Sequence, residues 1–106
     1  MLRLSFHTTI IEWRGPAPFF YAPVPSLHVG EIDRIKKQAS YGWGVIPVEA
    51  DIGGVRFTTS LFPKDGTYLL PLKDAVRRKT GVTVGDTIDV EMTIQSRQRR
   101  LDTRQS

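Results

Sequence analysis

Apolar and polar residues alternate with a period of two at both ends of this chain. In residues 2 to 13, Leu4, Phe6, Thr8 and Ile10 fall on one face and Ser5, His7, Thr9 and Ile11 on the other, which predicts a first strand. Near the other end, Ile88, Val90, Met92 and Ile94 alternate with Thr87, Asp89, Glu91 and Thr93, which predicts a last strand, half buried and half wet. Between them lies Gly53-Gly54, a two-residue loop that favours a type I′ hairpin turn. With Ile52 and Val55 flanking that loop, Ile46 faces Leu61, Val48 faces Thr59 and Ala50 faces Phe57 on an apolar side. The other side sets Asp51 across from Arg56 and Glu49 across from Thr58. A slip of one residue would undo both matches, so the register is specified twice.

The remaining segments follow from their punctuation. Arg14-Gly-Pro-Ala-Pro18 reads as a turn, and Phe19 to Val24 as a short strand that Pro23 ends at a sheet edge. Ser26 to Ser40 predicts a helix, because Val29, Ile32, Ile35 and Ala39 make one apolar stripe. Glu31 and Asp33 near its start and Lys36 and Lys37 near its end suit the helix dipole. Tyr41-Gly-Trp-Gly44 breaks that helix, and Pro63-Lys-Asp-Gly66 is a second turn. Thr67 to Pro71 predicts a strand. Leu72 to Thr80 predicts a short helix with Leu72, Ala75 and Val76 inward and Gly81 as its left-handed stop. The sum is a mainly β chain of about six strands and two short helices, which favours a small closed β-barrel over an open sheet.

Composition narrows this picture. At 106 residues the chain has room for one core, which predicts a single domain over residues 1 to 96 and a polar tail over 97 to 106. The net charge of +4 is concentrated in that tail, where Arg97, Arg99, Arg100 and Arg104 stand against Asp102 and leave +1 on the rest. A solubilising tail is the ordinary reading of such a segment. No apolar run approaches the roughly 20 residues of a membrane helix. The alternating start does not read as a signal peptide. The absence of cysteine excludes disulfides and thiolate chemistry and agrees with a cytoplasmic address.

Candidate chemistry is sparse. His7 and His28 are the only histidines and do not pair at a metal-ligand spacing, so no metal and no cofactor is expected. Ser60 lies in Thr-Thr-Ser-Leu and not in a nucleophile elbow, and Glu49 and Asp51 fall on the polar side of the hairpin. Gly53-Gly54 precedes a strand, whereas a phosphate loop opens a helix. Folding accounts for most of the central stretch but leaves Trp43, Ser60, Lys64 and Tyr68 as candidate ligand-binding residues, for a protein or a small anionic ligand. Lys73, Arg77 and Arg78 on the second helix, with Arg97, Arg99 and Arg100 in the tail, form a basic set that a nucleic acid could use, with Trp43, Tyr68 and Phe19 to Tyr21 supplying rings.

Several motifs also resemble a known family: Trp13-Arg-Gly-Pro-Ala-Pro18, Tyr41-Gly-Trp-Gly-Val-Ile-Pro-Val48, Thr59-Ser-Leu-Phe-Pro-Lys-Asp-Gly66, Tyr68-Leu-Leu-Pro-Leu-Lys73 and Val84-Gly-Asp86. The resemblance covers about residues 4 to 94, in the same order. The chain resembles a widespread family of small prokaryotic proteins catalogued as a domain of unknown function, some of whose members carry a YdeI/OmpD-associated segment. The resemblance implies a double-split β-barrel, the architecture of AbrB- and MazE-type regulators, and Gly81 to Val90 is similar to the glycine–aspartate lead-in of those DNA binders. It implies no established activity. The expectations are therefore a non-catalytic binding or interaction module, monomeric or weakly dimeric, against two alternatives. One is a nucleic-acid-binding regulator; the other is an enzyme with a carboxylate or Ser60 site.

Overall fold

The Gly53-Gly54 loop adopts the backbone its composition favours. In a computed structural model that describes residues 1–13, 19–39 and 46–95, both glycines have positive φ, +58° and +88°. They join β4 (Ile46–Ile52) to β5 (Val55–Lys64), and each opposed pair expected from the alternation is present, from Ile46–Leu61 to Ile52–Val55. Asp51 sits opposite Arg56, and its Oδ1 accepts the Gly54 amide at 2.9 Å, so the carboxylate also pins the turn. A second two-residue turn, Asp65 (φ +52°) and Gly66 (φ +80°), joins β5 to β6 (Thr67–Pro71).

Among the described residues, seven antiparallel strands make one sheet. Its order is β1 (Leu2–Thr9), β7 (Thr87–Ile94), β4, β5, β6, β3 (Phe19–Pro23), β2 (Ile11–Trp13). The first predicted strand is therefore two strands. β1 pairs with β7 and β2 pairs with β3, so one bent stretch of chain supplies both ends of the sheet. The bend is at Ile10, which is 1% exposed; its amide donates to Asp86 O and its carbonyl accepts from Gly85 N, both at 2.9 Å. The expected closed barrel of six strands is not what forms. The sheet has seven strands and curls into a half-barrel whose ladder ends at β1 and β2, while β1 meets β3 only laterally, where Thr8 Oγ1 donates to Pro23 O at 2.6 Å. Nor is β3 at the sheet edge, since it pairs with β6 on one side and β2 on the other. Pro23 is tolerated because the β2 ladder stops at Ile11–Tyr21 and asks nothing of its nitrogen.

The inner side of the curl is the core. Ile46, Leu61, Leu70, Ala22 and Ile10 come from five neighbouring segments and are each at most 1% exposed. Phe6, Ile88, Val90, Met92 and Ile94 continue that core on β1 and β7. A 3-10 turn (Ser26–His28) leads into α1 (Val29–Ala39), which buries Ile32 completely and half-buries Val29 and Ile35 against the curl. The second helix, α2 (Asp74–Thr80), starts two residues later than its apolar pattern suggests, because Lys73 is still extended. Leu72 is buried ahead of it and Val76 within it, but Ala75 faces solvent, contrary to expectation. Gly81 closes α2 at φ +75°, its amide donating to Arg77 O at 2.8 Å.

An alanine at position 54 would keep the turn's space, since nothing lies within 4 Å of the added Cβ, but would be forced into the left-handed region. Gly54→Ala should therefore lower stability by about 1–2 kcal/mol. A urea midpoint equal to that of the parent would show that the hairpin does not depend on this backbone.

Candidate functional site

The outward side of the sheet changes character partway along β5. On β1, β7, β4 and the start of β5 it carries Arg3, Ser5, His7, Asp89, Glu91, Glu49, Asp51 and Arg56. The register sets Asp51 directly beside Glu91, with Arg3 and Arg56 flanking a shallow depression of about 370 Å³. His7 Nδ1 meets Asp89 Oδ1 across β1 and β7, with both side chains 81% exposed. An ion pair that wet contributes little. Among the described residues, no group of His, Asp or Glu is arranged to hold a metal.

From Ser60 onward the same side of the sheet is aromatic. Phe62 faces outward from β5, opposite Leu69 on β6, which is opposite Pro23 on β3. Tyr21 lies opposite both Pro71 and Ile11, and Trp13 lies opposite Phe19. Tyr21 and Phe62 meet edge to face at 5.2 Å, Phe19 lies 6.4 Å from Tyr21, and the Lys64 ammonium sits 3.6 Å from the centre of the Trp13 ring. Leu69 is buried beneath this layer, yet Ile11, Trp13 and Phe19 remain 39%, 42% and 55% exposed. Ser60, half-buried across from Pro47, stands at the boundary between the charged and the aromatic regions.

Of the four candidate ligand-binding residues, Ser60 and Lys64 share this outer face. Tyr68 does not. It is 3% exposed on the inner side, and its hydroxyl donates to Asp33 Oδ1 at 2.5 Å. Burial first, then the hydrogen bond to the Asp33 carboxylate and its charge, hold the phenol above its ordinary value of 10.0. The pair ties α1 to β6. Trp43, together with the turns 14–18 and 41–44, lies outside the described residues, as do Arg97, Arg99 and Arg100.

The basic set on α2 is also partly committed. Arg77 lays its guanidinium 3.8 Å from the centre of the Phe20 ring and donates through Nη2 to Asp74, while its Nε is buried without a partner. The side chain is a clamp between α2 and β3. Lys73 and Arg78 are exposed. Of the residues considered for a carboxylate or serine site, Glu49 and Asp51 line the polar depression, and Ser60 is not among its lining residues.

A curled antiparallel sheet with two helices, bearing one charged and one aromatic outer surface, defines a small β-rich domain whose distinctive chemistry lies on surfaces. The chain belongs to the family described as Domain of unknown function (DUF1905), which matches residues 6–92. No curated protein matches the chain. The matched span covers the aromatic surface and most of the charged one and ends short of the arginine-rich tail.

Trp13 and Phe62 lie within motifs of the family resemblance, but periodicity alone does not reveal the surface they form. The signal was present in β6, where Tyr68-Leu69-Leu70 shows no alternation, and in Phe19-Phe20-Tyr21. A strand apolar on both sides has a second apolar side to account for.

Two variants test the committed residues. Tyr68→Phe should lower the urea midpoint at neutral pH by removing the Asp33 bond. The raised phenol binds its proton more tightly folded than unfolded, so its stabilisation is full below pH 10.0 and fades above it. The difference between parent and variant should then shrink in titrations above that pH; a constant difference would mean the hydroxyl is not the cause. Arg77→Ala should cost about 1–2 kcal/mol through the lost ring contact and packing. An unchanged thermal midpoint would return Arg77 to the pool of free cations.

Proposed function

We propose that this protein is a non-catalytic binding module whose working surface is the aromatic outer face of β2, β3, β6 and the end of β5. The observation that carries the reading is the exposure of Trp13 and Phe19, 42% and 55%, on the outer side of β2 and β3, where β3 already supplies Ala22 to the core from its inner side. Solvated outer sides of antiparallel sheets are ordinarily polar, as they are on β1, β7 and β4 of this same sheet. Leaving large rings in water costs roughly 25 cal/mol per Å² of apolar surface, a cost that a partner covering them would remove.

The finer architectural expectation, a double-split barrel related to AbrB- and MazE-type regulators, draws support from the bent stretch that supplies both sheet ends and from the Gly81–Asp86 lead-in to β7. A nucleic-acid role has less to stand on. The Arg77 guanidinium is engaged by Phe20 and Asp74, and Lys64 by Trp13. Phosphate backbones are held by many free cations, with affinity that drops steeply as salt rises.

The test is retention from native lysate on immobilised protein, followed by identification of bound proteins, nucleic acids and metabolites. Retained molecules should be lost from a Trp13→Ser/Phe19→Ser double variant and kept by Glu91→Gln on the polar face. Equal retention by parent and double variant, or loss through Glu91→Gln, would place the working surface elsewhere.

A further inference from the structure

Among the described residues, Asp65 is the one aspartate that folding leaves idle. Asp33, Asp51, Asp74, Asp86 and Asp89 each accept a hydrogen bond, whereas the Asp65 carboxylate has no partner. Asp65-Gly66 is also the only Asp-Gly pair in a chain that contains no asparagine. It forms the tip of the β5–β6 hairpin, and both residues are exposed. The Gly66 amide is equally unengaged, since the ladder closes at Lys64–Thr67 and no acceptor meets this N–H. Glycine places no side chain over its own nitrogen, and the space around Gly66 is open. A free carboxyl group thus adjoins a free and uncovered backbone nitrogen.

We propose that this turn is a site of self-modification, in which Asp65 closes on the Gly66 nitrogen as a succinimide that opens to isoaspartate within the folded protein. The Gly66 nitrogen bonds to Cγ of the Asp65 carboxylic acid, and the acid's hydroxyl leaves with the amide proton as water. Water then adds to one of the two imide carbonyls. Opening at Cγ restores aspartate, whereas opening at the former peptide carbon leaves the main chain running through Cβ. The turn suits the ring. A five-membered imide fixes ψ of an L-residue at about −120°, the value at the first central position of a type II′ turn. Asp65 at φ +52° and Gly66 at φ +80° have the signs of a type I′ turn. Flipping the one peptide between them gives type II′ while φ of Asp65 stays positive, and glycine accepts the changed φ at the second position. Both types close a two-residue hairpin, so the Lys64–Thr67 pairing survives the flip. The imide nitrogen carries no hydrogen, and the Gly66 N–H has no bond to lose. The isoaspartyl product lengthens by one backbone atom the loop that follows Lys64, whose ammonium rests on Trp13, which places the change beside the aromatic face.

Peptide mass mapping and isoaspartyl-specific methylation of the full chain, sampled over weeks at neutral pH, read this directly. A species one water lighter at residues 65–66 should appear first, followed by isoaspartate at position 65. Asp65→Glu, which would have to close a six-membered ring, should lose both products. Asp65→Asn should form isoaspartate faster through the same ring, with ammonia leaving in place of water. Urea below the unfolding transition should leave the parent's rate unchanged, because a peptide flip at an exposed tip uncovers no core. Absence of isoaspartate at position 65, methylation undiminished in Asp65→Glu, or no acceleration in Asp65→Asn would each overturn the proposal. So would a rate that climbs with urea across the native baseline, since the reaction would then run through the unfolded chain and not through the turn.

Discussion

Ile10 is the residue on which the shape of the molecule depends. Its amide and carbonyl continue the ladder of β1 toward β7 through Asp86 and Gly85, while its immediate successor begins the ladder of β2 with β3. One residue is thereby shared between two differently oriented pairings, and its side chain is held in the core where they meet. A straight strand could satisfy only one of these ladders. The bend turns a seven-stranded sheet into a curl and leaves β1 beside β3, close enough for Thr8 to reach Pro23 O.

That curl gives one sheet two outer environments. β5 runs through both, carrying Arg56, Thr58 and Ser60 outward at one end and Phe62 and Lys64 at the other. Alternation persists along its length; what changes is the chemistry of its outward positions. On the charged side, acidic residues stand on adjacent strands and are tempered by Arg3 and Arg56. On the aromatic side, rings contact one another and Lys64 covers Trp13. The first arrangement is content in water, and the second is not.

Several residues that look functional in isolation are occupied by folding. Tyr68 combines a buried ring with a hydroxyl bound to Asp33, so the phenol is satisfied where it sits. Arg77 combines a flat cation with an aromatic partner and an acidic one three residues earlier, and it holds α2 against β3. In both, the long side chain supplies packing as well as polarity, which is why residue type alone suggested a ligand site.

The sequence by itself determined the local structure. The β4–β5 register, the Gly53-Gly54 turn, β6, β7 and the left-handed stop at Gly81 all follow from periods of two residues, paired faces and positive-φ positions, which short-range rules read well. Family membership was legible too, in motifs spread along the matched span. Only the tertiary structure decided that residues 2 to 13 are two strands, because continuous alternation is blind to a bend that changes partners at Ile10. It also decided that Ala75 faces water and that Ser60 and Lys64 share a surface while Tyr68 lies on the opposite side. The aromatic face belongs to this second class: Ile11, Trp13, Phe19, Tyr21 and Phe62 come from three strands, and nothing in their spacing says they meet until β3 has been inserted between β2 and β6. Periodicity assigns a side chain to one side of its own strand, whereas the order in which strands pair decides which neighbours share that side.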